Sequence, residues 1–198
     1  MRTILARVAA MMAVATVTAC GSSKPSNFYT LSTDPGLTRT ADAAATPMRV
    51  VVNPVTVPDL IDRPQIVTRR EGNEVKVDEF SRWAEPLKGD IARVIAGDIG
   101  VLLGTEYVTV FDVGADSSQL WRVRVDVMRF DATLGDSVEI EALWTVWPPE
   151  KRPILEGRSL VHEAAKGAGY DAIVAAHNRA LASVSRDIAS AIHNNLAK

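Results

Sequence analysis

The sequence predicts one α/β (α+β) domain, a mixed and largely antiparallel sheet flanked by two long amphipathic helices. Three observations carry this expectation. Segments 119–132 and 137–147 alternate apolar and polar residues and are separated by Gly135-Asp136, the pattern of a long antiparallel hairpin. Segments 87–103 and 171–196 repeat apolar residues at helical spacing. Shorter valine-rich runs supply further strands, and strands mixed with two such helices bury their apolar faces in one layered core.

In chain order, Phe28-Tyr29-Thr30-Leu31 is a short β-prone run, and 32–47, rich in Thr, Ala, Asp, Pro and Gly, is a loop. Residues 48–57 read as a strand. Val50, Val51, Val52, Val55 and Val57 are β-branched and nearly continuous, as in a strand covered on both faces. Pro54 cannot donate to a ladder and marks a strand end or an edge. The turn-rich segment from Pro58 to Pro64 holds two apolar residues, Leu60 and Ile61. Apolar residues in a turn either tuck into the core or meet a partner, which makes these two the candidate partner-binding residues. Residues 65–70 and 74–78 form a hairpin through Glu71-Gly72-Asn73.

Residues 80–87 lead into the first helix, with Phe80 and Trp83 as packing residues and Pro86 in a first turn, where amide hydrogens lack partners anyway. Leu87, Ile91, Val94, Ile95, Ile99, Leu102 and Leu103 form its apolar stripe, with Lys88, Asp90, Arg93 and Asp98 on the other side. Gly104 is a natural stop. Residues 107–112 are a short strand. On 119–132, Trp121, Val123, Val125 and Val127 point one way and Arg122, Arg124 and Asp126 the other. On 137–147, Val138, Ile140, Ala142, Trp144 and Val146 oppose Glu139 and Glu141. Pairing these strands sets arginines across from glutamates, each pair contributing about 0.2–1 kcal/mol; that face is either solvated or meets a partner. Residues 154–164 continue the meander. Gly167-Ala168-Gly169 ends it, and from Asp171 a long helix carries Ile173, His177, Leu181, Val184, Ile188, Ile192 and Leu196 on one stripe, opposite Asn178, Arg179, Arg186 and Asp187.

Composition narrows the function. The chain has 198 residues, 47% of them hydrophobic, and a net charge of −2. It has no basic block, which argues against nucleic-acid binding. A single cysteine rules out an internal disulfide. His162, His177 and His193 are not spaced as a ligand set, so no metal is expected. No Gly-x-Ser-x-Gly turn occurs. Gly97, Gly100 and Gly104 lie on a helical pattern and lack the lysine of a phosphate loop. Glu139 and Glu141 share a strand face as solvated carboxylates commonly do. No catalytic residue and no cofactor is expected, and the chain does not read as an enzyme.

The N-terminus sets the location. Arg2 and Arg7 precede an uncharged apolar run, 8–17, which is shorter than the roughly 20 residues a bilayer span needs. This is the form of an export signal. It ends in Val17-Thr18-Ala19-Cys20, which resembles the lipobox of bacterial lipoproteins, and Cys20 is the chain's one cysteine. The resemblance implies cleavage before Cys20, a diacylglycerol on its thiol and an acylated amine; more than one acyl chain makes the anchor firm. Gly21 stands where an aspartate retains many such proteins at the inner membrane, so the outer membrane, facing the periplasm, is expected. The division is a signal peptide over 1–19, the acylated cysteine and tether over 20–27, and one periplasmic domain over 28–198. The tether, 21–27, reaches about 25 Å when extended.

Taken together, the lipobox, Phe28-Tyr29-Thr30-Leu31, the segment Val57-Pro58-Asp59-Leu60-Ile61-Asp62-Arg63-Pro64-Gln65-Ile66-Val67 and Phe80-Ser81-Arg82-Trp83-Ala84-Glu85-Pro86-Leu87 resemble the PqiC family of ABC-type transport auxiliary lipoproteins. The resemblance covers the mature chain. It implies a non-catalytic outer-membrane lipoprotein that works with a periplasm-spanning protein carrying MCE (mammalian cell entry) domains, PqiB-like, in moving phospholipid between membranes. It implies a homo-oligomeric ring for some members, and a fold similar to the N-terminal domain of TolB. The alternative is a stand-alone periplasmic lipid-binding lipoprotein, with a groove between sheet and helix, or a structural envelope lipoprotein.

Overall fold

The computed structural model describes residues 24–39, 48–111, 120–149 and 152–196. The signal segment, Cys20 and the ends of the expected strands at Asp112 and Gln119 lie outside the described residues. The elements run β1 (Asn27–Tyr29), β2 (Arg49–Val52), β3 (Gln65–Arg69), β4 (Val75–Trp83), α1 (Leu87–Leu103), β5 (Val108–Thr109), β6 (Leu120–Thr133), β7 (Ser137–Trp147), β8 (Leu155–Ala164) and α2 (Tyr170–Leu196).

Among the described residues the strands form one eight-stranded mixed sheet. The long ladders are antiparallel: β3 with β4, β6 with β7, β7 with β8. The short ones are parallel: β1 with β4, β2 with β5 and β6, and β3 with the end of β6. β6 is the branch point. One of its edges is taken by β7 and the other is shared by β2 at its start and β3 at its end. Pro54, lacking an N–H, interrupts β2 after Val52, and the chain rejoins β6 through Thr56, whose carbonyl accepts from Val127 at 2.9 Å.

Both helices lie on one face of this sheet. α2 packs on β7 and β8, α1 on β2 and β5, and the helices pack on each other. Trp121, Val123, Val125 and Val127 of β6 and Val138, Ile140, Ala142, Trp144 and Val146 of β7 are all buried against them. The alternate positions form the helix-free face. At about 25 cal/mol per Å² of apolar surface, this single interface is the main source of folding free energy.

Four sequence expectations change. First, β4 continues to Trp83, so 80–83 is strand rather than a lead into the helix; Trp83 is buried as expected, but Phe80 is 38% exposed. Second, Pro86 is the residue before α1, accepting at its carbonyl from Gly89 and Asp90 at 3.0 and 3.1 Å. Third, Asp90 and Asp98 of α1 are fully buried instead of facing solvent. The helix meets the sheet, α2 and the 30–39 segment, so it has little outer face. Fourth, a bulge at Met128 shifts the β6–β7 register. Beyond it burial switches from odd positions to Phe130 and Ala132, and Arg129 opposes Glu141; Arg122 and Arg124 lie farther from the turn and oppose Trp147 and Thr145 rather than the glutamates.

Candidate docking site

Three separated stretches meet at one end of the sheet, around the start of α1. Tyr29 of β1 accepts at its carbonyl from Ala84 N at 2.8 Å. Leu31, 1% exposed, then crosses α1: its N–H donates to Asp90 Oδ2 at 2.7 Å, and its carbonyl accepts from Arg93 at 3.0 Å. Arg93 also pairs with the other oxygen of Asp90. Ser32 is held by α2, its N–H donating to Asn178 Oδ1 at 3.1 Å while Asn178 Nδ2 donates to its hydroxyl at 2.9 Å. The strand entering the domain is thus fastened to both helices within a few residues.

The 58–67 and 80–87 stretches join at the same end. Trp83 N donates to Pro64 O at 2.7 Å, Gln65 stands opposite Arg82, and Lys88 pairs with Asp62 at 2.6 Å. Between them lies a shallow pocket of about 300 Å³ bounded by Arg63, Pro64, Ala84 and Pro86. The turn over 58–63 is closed by Ile61 N donating to Pro58 O at 3.1 Å. It separates the two candidate residues. Ile61 is 7% exposed and belongs to the core, whereas Leu60 is 37% exposed and available to a partner.

Asp78 holds the rim of this end. Burial raises its pKa, but donation from Lys76, Tyr170 and the Phe80 and Ser81 amides outweighs that and holds it well below the usual range. The Tyr170 hydroxyl, 3.0 Å away, is pushed up to about 12 by burial and by that carboxylate. Both groups keep one charge state at neutral pH, which suits a structural clamp.

The helix-free face carries charge pairs: Arg124 with Asp126 at 2.9 Å, Arg129 with Glu139 at 2.9 Å, Arg158 with Glu141 at 2.8 Å. The hydrogen bond from Arg129 lowers the pKa of Glu139, and His162 lies 3.6 Å from the same carboxylate. Between the pairs stand Met128, Leu143 and Leu160, all substantially exposed. Exposed pairs of this kind contribute little to stability.

The remaining histidines divide between core and surface. His177 is buried, stacked on Phe130 with centroids 3.9 Å apart and planes 4° apart, and edge-on to Trp83. Burial pushes its pKa down to about 3, so it packs as a neutral ring. His193 sits in the last turn of α2. Among the described residues no group of three or more His, Cys, Asp or Glu side chains is placed to hold a metal. No described helix is long and apolar enough to cross a membrane. Sequence reasoning missed the Asp90–Arg93 latch and buried Asp98. The only hint was that both carboxylates sit three or four residues from stripe positions.

Known proteins bear on this geometry in three ways. A crystal structure of an uncharacterized protein superposes with a TM-score of 0.69 at 19% identity, covering 85% of this chain and 99% of that one. Protein XCC0632 from Xanthomonas campestris superposes at 0.67 with 15% identity, covering 87% and 100%. These likenesses establish the fold alone. No curated protein matches the chain. The family model described as ABC-type transport auxiliary lipoprotein component matches residues 29–189, a span that begins at Tyr29, takes in the 58–67 and 80–87 stretches and α1, and ends within α2. The chain belongs to the family of ABC-type transport auxiliary lipoprotein components.

Proposed function

We propose that the chain is an acylated lipoprotein of the outer membrane, anchored at Cys20 with its domain in the periplasm. There it serves as a non-catalytic docking subunit for an MCE-domain, PqiB-like protein that conducts phospholipid between the membranes. The observation that supports this reading most is the convergence of 28–31, 58–67 and 80–87 at the end where the chain from Cys20 enters. A partner that meets Leu60 there meets it close to the anchor. Family membership supports the transport role.

The test is crosslinking in the periplasm of the native host, followed by pull-down of the full lipoprotein and identification of its partners by mass spectrometry. An MCE-domain protein recovered with wild type and lost with Leu60→Asp, at unchanged protein level, is the expected result. Recovery with Cys20→Ser as well would make the anchor dispensable for contact. Absence of any such partner from the folded wild type would refute the docking role.

A second reading has one observation behind it. An open groove of about 760 Å³ runs beside α1, floored by Ala96, Gly97 and Gly100 and walled by Val108, Val110 and Phe111. Phe111 is 74% exposed. A lipid-binding lipoprotein would hold an acyl chain there, and phospholipid co-purifying with wild type but not with Gly100→Leu would favour it.

A further inference from the structure

Two phenylalanines stand exposed where the chain enters the domain. Phe28 of β1 is 64% exposed and Phe80 of β4 38%. Phe28 is in register with Arg82, while the flanking pair, Tyr29 and Trp83, packs with the core, so Phe28 and Arg82 point to the helix-free face. An irregularity in the β3–β4 ladder displaces Phe80. Gln65 pairs with Arg82 and Ile66 with Asp78, and the Asp78 carboxylate accepts from the Phe80 and Ser81 amides at 3.0 and 2.8 Å. The backbone is held so that the ring faces outward.

Two cations and one exposed carboxylate stand beside these rings. Lys24 Nζ lies 5.8 Å from the centroid of the Phe80 ring. Arg82 meets Glu79 only at 3.6 Å, and Glu79 also accepts from Gln65 Nε2 at 3.2 Å. Aromatic rings beside basic side chains make up surfaces that settle at the headgroup level of a bilayer, with the rings in the acyl boundary and the charges on phosphates. The chain outside the described residues identifies the occupant. Cys20 is four residues before Lys24 and eight before Phe28, distances of at most about 14 Å and 27 Å in extended chain. With Cys20 acylated, the part of the domain held closest to lipid is this one.

We propose that Phe28 and Phe80, with Lys24 and Arg82, form a membrane-contact surface that lies against anionic phospholipid and fixes the orientation of the domain on the bilayer. The proposal rests on the reading of Cys20 as an acyl anchor and goes beyond it, because a tether alone leaves the domain free to turn. A fixed orientation would hold the same exposed end toward any conduit arriving at the membrane.

The experiment uses the full lipoprotein, reconstituted into vesicles of phosphatidylethanolamine and phosphatidylglycerol. An environment-sensitive fluorophore is carried on Ser26→Cys, with Ser190→Cys on the exposed side of α2 as the control; an acylated Cys20 thiol does not take the label. Brominated acyl chains in the vesicles should quench the probe at 26 and not the probe at 190. Phe28→Asp with Phe80→Asp should bring the first probe down to the control level while the protein still floats with the vesicles. Both rings are exposed, so the thermal midpoint should be unchanged. Lys24→Glu should lower quenching only when phosphatidylglycerol is present. Equal quenching at 26 and 190, or quenching that survives the double substitution, would overturn the surface alone. Absence of acyl mass on Cys20 in the purified protein would overturn the anchor, and the surface with it.

Discussion

Replacing Asp98 by asparagine should remove a component of the pH dependence of stability that acts opposite to ordinary acid denaturation. Asp98 lies on α1, fully buried against α2 and the 33–34 segment. Ser185 Oγ donates to its Oδ2 at 3.1 Å, and among the described residues none sits in good hydrogen-bond geometry to its Oδ1. Burial pushes the pKa from 3.8 to about 7, the Asp34 charge pushes the same way, and donation from Ser185, Thr33 and the Asp34 backbone pulls partly back. A carboxyl group with a folded pKa above its unfolded one binds protons more tightly in the native state. Its contribution is fully present below about pH 4 and is lost as pH rises to about 7. The difference between 3.8 and about 7 corresponds to about 4 kcal/mol. That is a ceiling, since water entering beside Oδ1 would relieve part of it. The expected change is about 2–4 kcal/mol. The assay is urea unfolding of wild type and Asp98→Asn from pH 4 to pH 8, read as the difference between the two, because Asp78, Asp126, Glu139 and His177 titrate in both. The stability of the variant relative to wild type should rise across that window. Parallel profiles, with a difference constant to about 0.5 kcal/mol, would refute the buried, proton-binding carboxyl.

Three further outcomes follow from the packing. Asp90→Ala leaves the Leu31 amide and Arg93 without their shared acceptor and should cost about 2–3 kcal/mol in urea unfolding; limited proteolysis should then cut within 32–39 earlier than in wild type. His177→Phe should stabilise the protein by about 2–3 kcal/mol at pH 4.5 and change little at pH 8. The folded pKa of His177, about 3, lies below the unfolded value of 6.5, so wild type loses stability as pH falls between them. Gly157→Ala should cost about 1–3 kcal/mol and alter the near-ultraviolet circular dichroism. The added Cβ would run into the Trp144 ring at Cζ2, and Trp144 holds Ser159 through its indole N–H at 3.1 Å.

The strands and helices were legible in the sequence because their signals are local. β7 occupies the expected Ser137–Trp147, β8 begins one residue later than expected, and α1 ends against Gly104 in the left-handed region at φ 64°. The β6 bulge was less legible. Its trace is the break in alternation at Met128-Arg129, which periodicity alone does not separate from a strand end. Of the two candidate contact residues, the sequence could not tell Leu60 from Ile61, because their difference in burial comes from how the 58–63 turn is seated. Phe80 shows the same limit in reverse. An aromatic residue two positions from a run of buried side chains reads as packing until the ladder around Gln65 shows it turned out.

By itself the sequence determined the two long helices, the long hairpin with its apolar faces, and the expectation of a lipid anchor at Cys20. Each depends on residue type and spacing over a few neighbours, so no distant contact is needed. Tertiary structure decided the branching of the sheet at β6, the burial of Asp90 and Asp98, and the meeting of 28–31, 58–67 and 80–87 at one end. Helical spacing places a side chain at an angle around its axis, but burial depends on how many neighbours surround that axis. α1 meets the sheet, α2 and the chain from the anchored end, so Asp90 and Asp98 of its polar side became interior while Lys88 and Arg93 stayed exposed.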